Sequence, residues 1–263
     1  MLLTIQIVNY NSRNNLRTCL QSIRENVFDR KNLQVTVINN DEKELGNFLD
    51  GFEAELIEIN KNIGFGKAHN LGSKKAKGEY ILLLNPDAKL FSGTIEKMLE
   101  VFLADEKIGI VGPIHVGENE ISGEEHFGKR KTPFSTIGTK IFLEEIKSDA
   151  ENIFETDWVS GGAMMIRKNL FSELGGFDEN YFMYFEDVDL CLQAKKKGWK
   201  IAVHPETKIF HESGQSFSDN RKKKKYYYNS QDYYIKKNFG LFWSWLIKIL
   251  RFPVYARNVY YKR

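Results

Sequence analysis

Two hydrophobic periods alternate along the first 115 residues. Short apolar, β-branched runs at 2–8, 33–38, 54–59, 80–84 and 108–114 read as buried strands, because a strand covered on both faces need not alternate apolar with polar positions. Between them, Leu16, Cys19, Leu20 and Ile23, and again Ile95, Met98, Leu99 and Phe102, recur at the spacing of a helix with one apolar face. This alternation predicts parallel βαβ units and hence an α/β fold, a Rossmann-like, mainly parallel sheet with helices on both faces. Ligands of such sheets bind beyond the carboxyl ends of the strands, so the residues just after each run matter most.

The pattern lapses over 116–156, a stretch rich in Gly, Glu, Lys and Ser that reads as a surface excursion, and resumes at 158–166 as if re-entering the same core. A helix is expected over 186–197, with Val188, Cys191 and Leu192 on one face and Gly198 as its stop. An extended segment follows over 200–210, and a basic, aromatic-rich helical segment closes the chain over 221–263, leaving one domain over 1–220.

Charge sharpens that boundary. The 263 residues sum to +3, yet 221–263 holds twelve Lys/Arg against one acid, Asp232, so this segment is +11 and residues 1–220 are −8. Such a segment suits nucleic acid, an anionic membrane surface or an acidic substrate, and the acidic body would repel a phosphate backbone, which argues against nucleic acid. Phe242, Trp245, Leu246 and Ile249 share one helical face and Ser244, Lys248 and Arg251 the other, with Arg257, Lys262 and Arg263 as flanks. A basic amphipathic helix of this kind can lie on an anionic membrane; the competing arrangement packs its apolar face on the body or on a second copy in a homodimer. The opening MLLTIQIV lacks the basic start of a leader, no run of about 18 apolar residues exists, and Cys19 and Cys191 show no zinc spacing. A cytoplasmic protein, possible at the inner face of the plasma membrane, is expected.

Polar residues stand where the strand rule puts them. Asn9, Tyr10 and Asn11 follow the first strand and Asn39, Asn40 and Asp41 the second; they can bind a base and ribose, or form turns. The segment Asn62-Ile-Gly-Phe-Gly-Lys67-Ala-His-Asn70 sets two glycines before a helix start, where an anion is favoured, but matches neither a dinucleotide fingerprint nor a Walker loop. At Asn85-Pro86-Asp87 a buried run ends at a proline with a carboxylate just beyond it. One carboxylate bridging Mg²⁺ or Mn²⁺ to a diphosphate fits that position, a turn or cap being the plain alternative. Glu186, Asp187 and Asp189 open a helix behind the aromatic run 181–185; they favour the helix dipole, and one of them can take a proton from a hydroxyl. His211 precedes a Gly/Ser stretch and the basic run 221–225, which can neutralise a diphosphate or form a solvated face.

Together these segments resemble the inverting family 2 glycosyltransferases of GT-A fold, especially the bacterial rhamnosyltransferase-like branch. The matching text is Ile7-Val8-Asn9-Tyr10-Asn11-Ser12, the segment 62–70, Leu84-Asn85-Pro86-Asp87-Ala88, Ser160-Gly161-Gly162-Ala163, Gly175-Gly176-Phe177-Asp178-Glu179, the segment 184–190 and Gly198-Trp199, in order. The resemblance implies a GT-A nucleotide-sugar-binding fold. It implies transfer of rhamnose or another hexose from a nucleotide-diphosphate donor to a saccharide or lipid-linked hydroxyl, with inversion, in surface polysaccharide synthesis. Donor contacts would come from Val8, Asn9, Tyr10, Asn39, Asn62, Lys67, Asn70, Asn85 and Asp87. A metal ion, Mg²⁺ or Mn²⁺, would sit at Asp87 with His211. Asp187 would be the base, Glu186 its partner, and Trp158, Gly161 and Gly162 would meet the acceptor. Asn85 replaces the first acid of the family's metal motif, and Asn39 stands where many members carry an Asp that meets the base. Two other classes compete: a non-catalytic nucleotide-sugar or lipid-binding protein, and a metal-dependent phosphohydrolase, which would need the multi-Asp or His-rich strand ends of a two-metal site.

Overall fold

The computed structural model describes residues 2–27, 30–117, 120–121, 126–137, 152–211 and 220–261. In chain order the elements are β1 (Leu3–Asn9), α1 (Arg13–Asn26), β2 (Leu33–Asn39), β3 (Glu55–Glu58), α2 (Phe65–Ser73), β4 (Tyr80–Leu84), β5 (Ala88–Leu90), α3 (Thr94–Ala104) and β6 (Ile108–Gly117). There follow β7 (Glu120–Ile121), β8 (Phe127–Gly128), β9 (Phe154–Thr156), β10 (Trp158–Val159), β11 (Ala163–Arg167), α4 (Lys168–Glu173), α5 (Glu186–Lys196), β12 (Lys200–His211), α6 (Asn220–Phe239) and α7 (Leu241–Ala256). About half of the excursion (118–119, 122–125 and 138–151), the Gly/Ser stretch 212–219, and Lys262 and Arg263 lie outside the described residues.

The main sheet runs β3-β2-β1-β4-β11-β6-β12-β5. Its first four strands are parallel, as the βαβ pattern requires. Beyond β4 it is mixed, because β11 enters from the ligand edge and runs antiparallel to both neighbours, while β12 is parallel to β6 and antiparallel to β5. Alternation along β4 builds two cores. Leu82 and Leu84 meet Leu16 and Leu20 of α1 and Met98 and Phe102 of α3. Ile81 and Leu83 belong with Leu170 of α4, Val188 and Cys191 of α5, and also Tyr234, Ile235 and Ile247 of the C-terminal helices. Helices therefore cover both faces, and α6 and α7 pack on the body rather than trailing from it.

Register places the candidate site at one edge. Pairing of Ala163 with Leu84 sets Gly161 and Gly162 beside Asn85, whose N–H donates to the Gly162 carbonyl at 2.9 Å. Pairing of His211 with Ala88 brings the end of β12 beside Asp87.

The two faces foreseen for α7 exist, and the one turned inward is mixed, with Ile247 buried in the body core beside two polar residues. Ser244 and Arg251 are buried, Arg251 donating to Gln231 and, at 2.6 Å, to Asp232 of α6, while Phe242, Trp245 and Ile249 face solvent. The lone acid of α6 recruits the guanidinium, and Ile247 docks in the core on the same face. Among the described residues no helix is long and apolar enough to cross a membrane.

Candidate active site

At the carboxyl edge of the sheet a cleft is lined by Val8, Tyr10, Asn40, Asn62, Asn85, Asp87, Gly161, Gly162, Glu186, Asp187, His211 and Lys223. One corner joins a carboxylate to an imidazole. Asp87 is buried and its Oδ1 has no hydrogen-bond partner, although His211 Nε2 lies 3.2 Å away; the same nitrogen is 3.2 Å from Asn85 Nδ2. Behind His211 stands His115 at 4.8 Å, itself stacked on His126 at 4.6 Å. Burial, then the neighbouring His211 and His126 rings, hold His115 well below the ordinary histidine range, so it stays neutral. A Cβ on Gly162 would sit 3.3–3.4 Å from His211, Asn85 and His115, which leaves no room for a side chain.

The second corner is a pair of carboxylates at the start of α5. Asp187 accepts the Gly161 N–H at 2.9 Å on Oδ2 and the Val188 N–H at 2.8 Å on Oδ1. Glu186 is buried and its Oε2 has no partner. Burial, then the charge of Asp187, pushes Glu186 up to about 8. Burial raises Asp187 too, but the Gly161 and Val188 N–H groups favour its ionised form. At neutral pH the pair thus carries its charge on Asp187 and its proton on Glu186. This proton has a consequence for stability. A carboxyl raised from its ordinary 4.5 to about 8 lends stability that is complete below pH 4.5 and lost as pH climbs to 8. The melting temperature of Glu186→Gln minus that of the wild type should therefore grow across that window in a pH series of thermal melts; a pH-independent difference would contradict a buried neutral Glu186.

Local backbone geometry aims this pair. Tyr184 and Phe185 both adopt left-handed backbone, φ 72° and 67°, at a cost on the order of 1–3 kcal/mol each. The surrounding packing holds them there. Tyr226 stacks on Phe182 at 4.6 Å, Phe185 lies 5.3 Å from both Tyr227 and Tyr234, and Ser230 Oγ donates to the Met183 carbonyl at 2.8 Å. Lys237 of α6 bridges Asp178 (2.6 Å) and Asp189 (2.5 Å), tying the 175–179 loop to the start of α5. The C-terminal segment is thus a wall of the cleft.

Five residues expected at the site lie elsewhere. Asn39 is fully buried and spends both amide N–H groups on the Lys43 carbonyl and Glu58, while its oxygen takes the amide of Asn9. Asn9, also bonded to Ser12, is consumed with it. Asn40 reaches the cleft instead, bonded to Asn62 Oδ1 and to the Ile63 N–H. Lys67 points from α2 toward Glu179 at 3.9 Å, and Asn70 clamps both backbone groups of Phe177. Trp158 is buried, donates to the Lys129 carbonyl, and borders a separate hollow with Arg130, Lys131 and Tyr234. Gly64, the first of the two glycines foreseen before a helix start, proves exacting: its φ is +94° and a Cβ would meet the Phe182 carbonyl at 2.6 Å. Gly64→Ala should push the 182–187 segment away and lower kcat/KM on the order of a hundredfold in steady-state assays, whereas unchanged kinetics would detach that segment from catalysis.

Residues 4–175 match the profile of glycosyl transferase family 2. The chain belongs to glycosyl transferase family 2. Within this family it is 26% identical over 187 residues to an N-acetylglucosaminyl-diphospho-decaprenol L-rhamnosyltransferase of Mycobacterium tuberculosis, covering 61% of this chain and 59% of the relative. It is 25% identical over 215 residues to the dTDP-rhamnosyl transferase RfbF of Shigella flexneri, covering 79% and 68%. The chain thus spans about three-fifths of the mycobacterial relative's length. Among solved structures, the mannosyltransferase PcManGT of Pyrobaculum calidifontis, in complex with GDP-Man and Mn²⁺, superposes with a TM-score of 0.64 at 16% identity, over 89% of this chain and 63% of that one. The shared architecture is the GT-A fold foreseen for this family 2 chain, with the mixed open sheet described above.

Proposed function

We propose that this chain transfers a sugar, rhamnose or another hexose, from a nucleotide-diphosphate donor to a saccharide or lipid-linked saccharide hydroxyl, with inversion, in surface polysaccharide synthesis. The observation that carries the proposal is the pairing, in one cleft, of a carboxylate kept ionised by the Gly161 N–H with the buried Asp87–His211 corner. The names of the relatives favour dTDP-rhamnose as the first donor to try and a polyprenyl-diphosphate-linked sugar as acceptor. In this reading 1–220 is the glycosyltransferase domain, 221–263 walls its cleft, and the protein works peripherally at the inner face of the plasma membrane.

A divalent cation fits the first corner, because Asp87 Oδ1 is a buried carboxylate oxygen without a hydrogen-bond partner and His211 offers a nearby imidazole nitrogen. Among the described residues no set of three His, Cys, Asp or Glu converges on one point, so donor oxygens and water would complete the shell, as Mg²⁺ and Mn²⁺ accept. When bound, the ion would neutralise charge on the leaving diphosphate. Asp187 takes the proton of the acceptor hydroxyl. The acceptor oxygen forms its bond to the anomeric carbon as the bond from that carbon to the diphosphate breaks, and attack from the opposite face inverts configuration. Glu186, protonated, adds no second negative charge beside the base. Lys223 lines the cleft without an ion-pair partner among the described residues, and its ammonium faces the negative charge that develops on the nucleoside diphosphate.

A thermal-shift panel of nucleotide sugars with Mn²⁺ tests this reading. A cognate donor at a hundredfold above Kd should stabilise the protein by about 2.7 kcal/mol. Stabilisation by none of them would overturn it, and stabilisation without transfer to any hydroxyl acceptor would favour the non-catalytic binding protein.

A further inference from the structure

The surface of the chain is uneven in one respect. Among the described residues thirteen large hydrophobic side chains are exposed, and eight of them lie between Leu241 and Tyr260. On α7, Leu241, Phe242, Trp245, Ile249 and Phe252 fall within roughly 100° of the helical circumference, and Trp245, Phe242 and Phe252 keep 65%, 67% and 63% of their surface open. A contiguous apolar stripe of this kind marks a contact surface rather than scattered exposure. It is kept outward by construction, since the opposite face is anchored through Ser244 and Arg251 to α6.

We propose that this stripe lies in the headgroup layer of an anionic lipid bilayer. Charge selects the occupant. The segment 221–263 is +11, and its single acid, Asp232, is already engaged by Arg251 and Lys248, so the rest of the segment's positive charge has no acid of its own to offset it. A second copy would bring two such segments face to face and repel itself, whereas anionic headgroups attract each Lys and Arg near the surface. Length selects the mode: α7 has 16 residues with Lys248 and Arg251 inside it, so it lies along the interface instead of spanning it, with Trp245 at the depth that indole prefers.

The orientation is useful for catalysis. The helices α6 and α7 form a hairpin about Gly240, and the far end of α7 returns to the middle of α6, where Tyr255 packs on Tyr228 at 5.3 Å and Asn258 donates to the Tyr228 hydroxyl. Two residues before Tyr228, on the side of α6 turned to the body, Tyr226 stacks on Phe182, and five residues before it Lys223 lines the cleft. The helix that walls the cleft thus also carries the proposed membrane helix, so a lipid-linked acceptor would be met by the same segment. The proposal extends the lipid-acceptor reading, but its test measures binding rather than turnover, so the two can fail separately.

The full chain and the double variant Trp245→Gln/Phe252→Gln are compared in co-sedimentation with phosphatidylcholine vesicles, with and without phosphatidylglycerol, at low and high salt. Both positions are exposed, so folding is untouched, and the donor thermal shift of the variant should equal that of the wild type. The wild type should bind the phosphatidylglycerol vesicles, more weakly at high salt, and the variant should lose roughly tenfold or more in partitioning. Equal binding by the variant, no binding by the wild type at low salt, or equal binding to the neutral vesicles would overturn the proposal. So would a dimer in sedimentation equilibrium that the double variant dissolves while neither protein binds vesicles, which would assign the stripe to a second copy.

Discussion

Asp187→Asn is expected to lower kcat by about a thousandfold while leaving donor affinity within about twofold of the wild type. The amide keeps the shape of the carboxylate and one oxygen for the Gly161 or Val188 N–H, so the cleft survives. What disappears is the carboxylate to which the proposed function gives the hydroxyl proton, and its neighbour Glu186, protonated at neutral pH, does not replace it. Kinetics of nucleoside-diphosphate release, paired with donor binding by calorimetry, separate the two effects. Transfer within a few-fold of wild type would remove Asp187 from the role of base and pass it to another group lining the cleft.

Asp87→Ala should act on the other reactant. Both donor affinity and the response to added Mg²⁺ or Mn²⁺ are expected to fall, with kcat/KM lower by about a hundredfold or more, because charge on the leaving diphosphate loses its main counterweight. The buried neighbours make the loss specific: His211 keeps its place through Asn85 and the rings behind it, so the variant tests the carboxylate rather than the fold of the corner. Wild-type activity untouched by a chelator, together with an active Asp87→Ala, would leave the leaving group to Lys223 and the basic start of α6 alone.

The strands at 2–8, 33–38, 80–84 and 108–114 were legible because they are largely buried on both faces, that at 54–59 is the half-exposed edge, and the structure moves no end of the five by more than three residues. Asn85, Asp87, Glu186 and Asp187 were legible for a related reason, since a strand end and a helix start are punctuated by proline and clustered acids. Asn39 and Asn40 differ by one residue on a strand of period two, and that single step sends one into a hydrogen-bonded knot with Asn9 and Glu58 and the other into the cleft. Nothing local signals that His115, at the far end of β6, would back His211; only the β6–β12 register does so. Likewise the aromatic runs 181–185 and 226–228 are each plain in the sequence, but that one walls the other is a tertiary fact. The inward placing of Arg251 on α7 has the same origin, in the single acid that α6 offers it.

The anomeric configuration of the product, read by NMR after incubation with dTDP-rhamnose or whichever nucleotide sugar gives the largest thermal shift, tests the central claim most directly. A single base at Asp187 acting on an acceptor hydroxyl predicts a new glycosidic bond of configuration opposite to that of the donor, formed by the wild type and absent with Asp187→Asn. A product that retains the donor configuration, or release of free sugar without a glycosidic bond to an acceptor, would contradict it.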